Sequence, residues 1–328
     1  MFRSASTFLH DRPTRLAVAV LVVGVGLGLG LPAVLDTTAP APVADHAHAG
    51  PAASDYLPIS AAPTTAVPVP GPAASTGTFT IGCGRNLDGH RNSDNFIASP
   101  GVQGGAHHVH DYVGNTSTDR NSTDASLAAA GTTCALGDRS TYYWPVLRDT
   151  RDASDLGRIL TPEQVEVTLR GNPQGPVAGM PEFLRASVGD AMAVTDGPTD
   201  TGRVRWTCSG TPDRATTTHY PLCPAGQLVQ RVADYPSCWD GAPATGPGYR
   251  EHVVFGDPDT GGCPAGTTAV PQLRITVGYR VPAGDSYAVD TFPDQLSKPV
   301  ADHFDFEDVM PPDLMRQVVE CINGGRTC

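Results

Sequence analysis

The chain has 328 residues and a formal net charge of -12 at pH 7, with 17% charged and only 6% aromatic residues. This acidic balance, with no basic stripe along the sequence, argues against nucleic acid as a partner. Gly (36) and Pro (31) are both used above the average, which favours many turns and short strands over long helices.

The N-terminus predicts export. Residues 1–15 carry Arg3, Arg12 and Arg15 and are predicted to be cytoplasmic, whereas residues 16–35 hold no charge. A segment of that length can span a bilayer as a helix, and positive charge ahead of it keeps the N-terminus inside. Two alternatives stay open: an uncleaved membrane anchor, or a signal peptide that is removed so that the chain is secreted. Both place the rest of the chain outside the cytoplasm.

The next segment predicts a linker. Residues 36–78 are rich in Ala, Pro, Thr and Ser and show no apolar period, which is typical of a disordered stalk. We expect the folded part to begin near Thr78 and to form a single extracytoplasmic domain over residues 79–328.

The cysteines predict an oxidising compartment. All eight lie behind the export signal, which fits a set of disulfides. The sequence has no Cys-x-x-Cys pair, which argues against a zinc–thiolate site. Many pairings are possible, and proximity along the chain suggests Cys208–Cys223, Cys238–Cys263 and Cys321–Cys328, leaving Cys83–Cys134.

Strand patterns outnumber helix patterns. Alternating apolar residues predict strands within 272–281, 165–169, 204–208 and 252–255. Short helices are expected after Thr123 and after Pro311. The chain is therefore predicted to be mainly β: a β-sandwich or a β-rich, barrel-like single domain with few short helices, stapled by disulfides.

Histidines concentrate in one stretch, where His107, His108 and His110 follow two glycines. His108 and His110 are two residues apart, so an extended backbone would project both imidazoles from the same face. Paired imidazoles suit a metal ion or proton transfer, and they equally suit a hydrogen-bond network without chemistry.

A second polar pair lies far along the chain. His303 and Asp305 are also two apart and alternate with phenylalanines, which predicts a strand with one apolar and one polar face. If the two pairs meet, His108, His110, His303 and Asp305 are candidate catalytic residues for acid–base work. The three histidines are also candidate ligands for a divalent metal such as zinc, manganese or iron. The sequence alone fixes no cofactor.

Other polar residues are candidates for binding substrate. Trp239 could stack on a sugar ring, and Asp240 could bind hydroxyl groups or cap a turn. His252 begins a predicted strand and could join the site, and Asp94 is a further candidate. Taken alone, the patterns around Trp239, Asp240 and His252 favour a structural role.

The order of these motifs resembles the DUF1996 family, secreted domains of unknown function from fungi and actinobacteria. The motifs that carry the resemblance are Ser99-Pro100-Gly101, His108 to Asn115, Tyr142 to Pro145, Tyr235 to Gly241, His252-Val253, Gly262-Cys263-Pro264, Val270 to Leu273 and His303 to Phe306. The resemblance favours seven polar residues over the others, namely His108, His110, Trp239, Asp240, His252, His303 and Asp305, with Asp94 as a weaker addition. Fungal relatives often carry WSC-type modules thought to bind carbohydrate, which implies polysaccharide or cell-wall material as a partner, although this chain has no such module.

Three functions are consistent with the sequence, all at the cell envelope or outside the cell. The first is a carbohydrate-active enzyme, such as a hydrolase, that uses the His/Asp residues with or without a metal. The second is a non-catalytic module that binds glycan through Trp239 and its neighbours. The third is a structural envelope protein whose histidines form only a hydrogen-bond network.

Overall fold

The computed structural model describes residues 50–152, 157–197, 204–242 and 251–328, and all of these belong to one compact unit. The expected cytoplasmic N-terminus (1–15) and apolar segment (16–35) lie outside these ranges. Within them, no helix has the length and apolar character needed to cross a bilayer.

Strands are the predominant regular secondary structure of the described residues. The strands are β1 (Tyr56–Pro58), β2 (Thr78–Ile81), β3 (Arg91–Asn92), β4 (His110–Gly114), β5 (Thr141–Pro145), β6 (Leu147–Asp149), β7 (Arg158–Leu160), β8 (Gln164–Arg170), β9 (Arg185–Gly189), β10 (Arg205–Cys208), β11 (Tyr220–Leu222), β12 (Val229–Asp234), β13 (Cys238–Trp239), β14 (Val253–Val254), β15 (Thr268–Ala269), β16 (Gln272–Tyr279), β17 (Tyr287–Val289) and β18 (His303–Glu307). The α-helices are α1 (Asp124–Ala129) and α2 (Pro312–Asn323). Short 3-10 helices span Ala53–Asp55, Ile59–Ala61, Ala135–Gly137, Pro293–Gln295 and Pro299–Ala301. The predicted mainly β class with few short helices is confirmed.

Two five-stranded sheets organise the domain. The site sheet has the order β3-β4-β5-β18-β9, and the support sheet has the order β10-β12-β16-β8-β2. Smaller sheets join β14-β13-β15, β17-β6-β7 and β1-β11. The described strands form open sheets and no closed barrel, so the barrel-like alternative is wrong.

The core lies between the inner faces of the two large sheets. On β18, Phe304 and Phe306 point into the same buried cluster as Ile275 and Val277 of β16. The indole N–H of Trp144 crosses from the site sheet to the hydroxyl of Tyr279 in the support sheet, at 3.0 Å. Because strand residues alternate, His303 and Asp305 of β18 face the other side of the site sheet.

One buried arginine also crosses between the sheets. Arg231 of β12 is fully buried, and its guanidinium grips the carboxylate of Asp302, with Nε 2.8 Å from one oxygen. The same guanidinium donates to the carbonyl of Pro145 at 2.7 Å and stacks over the rings of Phe304 and Trp206. Arg231 therefore fixes β5 and the start of β18 relative to the support sheet.

The three disulfides suggested by proximity, Cys208–Cys223, Cys238–Cys263 and Cys321–Cys328, are present, and so is the remaining pair, Cys83–Cys134. Four disulfides in one domain indicate an extracytoplasmic, oxidising compartment.

The expected disordered stalk is wrong for its described part, residues 50–78, and the domain does not begin at residue 79. Strand β1 pairs in parallel with β11, and Tyr56 is buried, donating its hydroxyl to the carbonyl of Tyr287. The carboxylate of Asp55 accepts two bonds from Lys298, the only lysine in the chain, at 2.6 and 2.7 Å. A few anchoring side chains outweigh the average polarity of the segment.

We predict that Arg231→Met lowers the free energy of unfolding by about 3–5 kcal/mol, because the carboxylate of Asp302 is left buried and unpaired. The double variant Arg231→Met/Asp302→Leu should recover most of the loss, since an apolar pair can replace a buried ion pair. Urea unfolding measures both values. Arg280→Met, which breaks an exposed pair with Glu163, is the matched control and should unfold like the wild type. An Arg231→Met protein as stable as this control would show that the pair does not hold the sheets together.

Candidate metal and catalytic site

Three imidazoles meet on the outer face of the site sheet. The Nε2 atoms of His108, His110 and His303 lie 3.0 Å (His108–His110), 3.2 Å (His108–His303) and 3.5 Å (His110–His303) apart. All three side chains are buried, and His110 is fully so. We call these residues the histidine trio.

The sheet register explains why distant segments converge. His110 of β4 lies directly opposite Pro145 of β5, and Asp305 of β18 lies opposite Tyr143. Continuing that register by two residues brings His303 level with Pro145, so both histidines flank the same position of β5. Directly opposite residues in antiparallel strands share a face, which points the two rings the same way.

His108 reaches the site from the loop before β4, since that strand begins only at His110. The expected continuous strand through both residues is therefore wrong, although their rings still meet. The turn before His108 uses two left-handed residues, Gly104 (φ 63°) and His107 (φ 53°). His107 is exposed and stays outside the trio, while the ring of Phe292 packs edge-on against His108.

The hydrogen bonds of the outer nitrogens fix two tautomers. Nδ1 of His110 lies 3.1 Å from the carbonyl oxygen of Asp94, and Nδ1 of His303 lies 3.1 Å from that of Ala301. A carbonyl oxygen only accepts, so each Nδ1 must carry the proton of the neutral ring. The Nε2 atoms of His110 and His303 are then unprotonated, and their lone pairs face each other and His108.

This arrangement fits a divalent metal. Nitrogens bound to one zinc ion at about 2.0–2.1 Å in tetrahedral geometry are roughly 3.3–3.4 Å apart, close to the separations in the trio. Ring nitrogens that donate to backbone carbonyls are the usual second contact of metal-binding histidines. A single N–H on His108 could satisfy only one of the two facing lone pairs, whereas a cation would satisfy all three.

Burial favours the neutral forms of His108 and His110. It lowers the pKa of His108 well below its usual range and lowers the pKa of His110 to about 3, and repulsion from the neighbouring imidazoles adds to both shifts. Neutral imidazole is the metal-binding form, so His108 and His110 are in the form that binds metal at neutral pH.

The trio opens onto a cleft of about 1030 Å3. His108 and His303 line the cleft, and so does Asp305, whose carboxylate accepts hydrogen bonds from Asn95 (3.0 Å) and from the hydroxyl of Ser187. Asp305 therefore joins the trio at the cleft, as the polar face of β18 predicts, although its oxygens are not among the clustered ligand atoms.

The other predicted site residues lie apart from the cleft wall. Trp239 is half-buried, packs against the core and donates its indole N–H to the carbonyl of Ala242. Asp240 is bound to Nδ1 of His252 at 3.0 Å, which lowers the pKa of the carboxyl. None of the three lines the cleft, so a role in binding substrate stays a prediction.

Asp94 is buried behind the trio and also does not line the cleft. Its carboxylate accepts bonds from the backbone N–H groups of Gly104 and Arg120, and its carbonyl holds His110. Asp94 therefore ties the loop before His108 to the trio.

Two residues of the site gave no signal in the sequence. Asn95 holds Asp305 and is itself held by the hydroxyl of Tyr143 at 2.9 Å, and Ser187 lies opposite Asp305 on the neighbouring strand β9. An isolated Asn or Ser has no spacing that singles it out, and only the strand order shows that they are neighbours.

The fold and the site together define a disulfide-linked β domain with a histidine cluster at the floor of a cleft. The chain matches the family described as "Domain of unknown function (DUF1996)" over residues 96–303, and it belongs to this family. Searches of curated proteins and of solved structures found no significant match.

The pH dependence of stability tests the buried, neutral state of His110. With its folded pKa below that of an unfolded histidine, about 6.5, the unfolded chain binds more protons at acidic pH. We therefore expect metal-free protein to lose stability as the pH falls below about 6.5, with a contribution from His110 of at most about 1.4 kcal/mol per pH unit. Urea unfolding in the presence of a chelator, from pH 7 down to pH 4, should give a shallower slope for His110→Gln. Equal slopes for the two proteins would contradict a buried neutral His110.

Proposed function

We propose that this chain is an extracytoplasmic, metal-dependent hydrolase that acts on polysaccharide. The observation that carries the proposal is the convergence of the three Nε2 atoms of the trio at the floor of an open cleft, with the lone pairs of His110 and His303 facing inward. Three histidines that leave one coordination position free are a common ligand set of catalytic zinc sites. The family, described only as a domain of unknown function, assigns no reaction.

The cleft supports a sugar polymer as substrate. Its wall combines hydrogen-bonding side chains, such as Asn95 and Ser187, with apolar ones, such as Phe255 and Phe292. Sugars present hydroxyl groups at the ring edge and C–H groups on the ring face, so both kinds of side chain have a partner. The four disulfides support an extracytoplasmic place of action, where envelope or environmental glycans are available.

The roles of the residues follow from their positions. The trio would hold a divalent ion, which polarises a substrate oxygen and acidifies water when bound. Asp305 stands beside His303 in the cleft and would accept the proton of the attacking water as general base. Asn95 and Ser187 orient the carboxylate of Asp305 from two sides. Water is consumed: its hydroxyl goes to one product and its hydrogen to the other.

The contacts also favour this proposal over a structural histidine network. In a network without a metal, each close Nε2 pair needs a proton between its atoms. The carbonyl partners of His110 and His303 place the protons on Nδ1, which leaves that pair without one. Asp305 distinguishes the proposed hydrolase from a module that only binds glycan, because a binding site does not need a general base.

We expect the purified chain to bind about one equivalent of zinc per molecule, because the trio offers one set of three ligands. His108→Ala and His303→Ala should each lose the metal, while His219→Ala, a histidine outside the trio that contacts Thr218, should retain it. Metal analysis after dialysis gives the content. Equal metal content in the wild type and both trio variants would overturn the proposed metal site.

We expect Asp305→Asn to retain the metal and to lose about 10²- to 10⁴-fold in turnover, the usual contribution of a general base. Product release from a panel of polysaccharides measures this effect, with Glu320→Gln, an exposed change on α2, as control. Wild-type turnover by Asp305→Asn would remove Asp305 from the mechanism. Absence of turnover by the metal-loaded wild type on the whole panel would contradict the hydrolase.

A further inference from the structure

The wall of the cleft is acidic. Among its described residues it carries the carboxylates of Asp190, Asp196, Glu251 and Asp305, and no lysine or arginine. Asp196 and Glu251 are exposed, whereas Asp305 is buried beside the trio. The negative groups therefore extend from the floor of the cleft to residues in contact with solvent.

Neutral partners hold the carboxylates of Asp305 and Asp196. Asp305 is bound by an amide and a hydroxyl, and Asp196 lies 3.2 Å from the hydroxyl of Thr195. In the described part of the chain, no arginine or lysine forms an ion pair with Asp196, Glu251 or Asp305. Their negative charge is therefore not cancelled by a described neighbour.

Two carboxylates elsewhere in the domain form ion pairs with arginines. Asp234 on β12 is surrounded by three arginines, Arg170, Arg205 and Arg274, which hold its pKa well below the usual range against the effect of burial. Asp149 is likewise paired with two arginines. The chain has arginines for its acidic groups, so the acidic cleft is a local feature and not only a consequence of the net charge.

We propose that the cleft selects polysaccharides with protonated amino groups, that is, polymers of amino sugars, over neutral and anionic glycans. The proposal rests on the proposed function for the sugar polymer itself, and adds the charge of the substrate. An ammonium group on a sugar ring pairs with the exposed carboxylates of Asp196 and Glu251, while the ring contacts the apolar side chains of the cleft wall. A uronic acid or phosphate group in the same position would be repelled.

A metal ion on the trio leaves this selection in place. Its charge would offset the carboxylate of Asp305 at the floor of the cleft. Asp196 and Glu251 contact solvent, where screening by water and salt weakens the influence of a distant ion. The selection therefore depends on Asp196 and Glu251, and it should weaken at high ionic strength.

Calorimetric titration of the zinc-loaded full chain with three oligosaccharides of equal length tests the proposal. The probes are a glucosamine hexamer (cationic), an N-acetylglucosamine hexamer (neutral) and a galacturonic acid hexamer (anionic). We expect the glucosamine hexamer to bind at least tenfold more tightly than the neutral one, and the anionic one to bind most weakly. Raising the salt from about 0.05 M to about 0.5 M should remove most of the difference, because screening shortens the reach of exposed charges.

Single substitutions locate the effect. Glu251→Gln and Asp196→Asn should each weaken binding of the glucosamine hexamer about two- to fivefold, the range of single exposed ion pairs, and leave the neutral hexamer unchanged. Glu320→Gln, on helix α2 and outside the cleft, is the matched control and should bind all three probes like the wild type. Unchanged binding of the glucosamine hexamer by both cleft variants would overturn the role of these carboxylates.

The remaining outcomes keep this proposal apart from the metal site. Equal or tighter binding of the anionic hexamer overturns the charge selection even if the metal is bound. Tighter binding of an oligolysine than of the glucosamine hexamer overturns the amino sugar in favour of a basic peptide. Charge-selective binding that persists in His108→Ala, together with a wild type that binds no metal, would support the cleft and contradict the hydrolase.

Discussion

The buried ion pair between Arg231 and Asp302 is the constraint on which the site depends. The guanidinium of Arg231 extends from the support sheet to the carboxylate of Asp302, the residue before His303. It also binds the carbonyl of Pro145, which lies between His110 and His303 in the site sheet. Burying two charges is costly, so such a pair adds little to stability compared with apolar packing of the same volume. The role of the pair is geometric. It fixes β5 and the start of β18 relative to the support sheet, and β4 and β18, which carry His110 and His303, lie on either side of β5.

The trio is polar in a place that the fold could have filled with apolar side chains. Phe304, which follows His303 on β18, and Trp144 on the neighbouring strand β5 belong to a continuous apolar core. The outer face instead collects imidazoles, a carboxylate and the amide and hydroxyl that orient it. Such a concentration of buried polar groups costs stability unless each is satisfied, and it is the pattern expected of a site that binds something.

Much of this site could be predicted from local spacing. The two-residue interval between His108 and His110, and between His303 and Asp305, indicates shared faces, and the phenylalanines of β18 indicate which face is apolar. Three of the cysteine pairs follow from proximity along the chain, and Cys83–Cys134 then follows as the remaining pair. The two helices were identified by their capping and proline signals.

What could not be predicted depends on strand order and on single anchoring residues. Ser187 lies beside Asp305 only because β9 pairs with β18, and sequence distance gives no indication of that neighbour. The segment before residue 79 looked like a stalk because composition averages over Tyr56 and Asp55, whose individual contacts attach it to the domain. The sequence around Trp239 is compatible with stacking on a sugar ring, yet the indole packs against the core. Only tertiary contacts decide between these two roles.

Anomalous diffraction at the zinc edge, from crystals grown with zinc, tests the central claim most directly. The account predicts one strong peak about 2.0–2.1 Å from the Nε2 atoms of His108, His110 and His303, with a free coordination position towards the cleft. No peak at the trio, or an ion held elsewhere while the three rings bond only to one another, would contradict it.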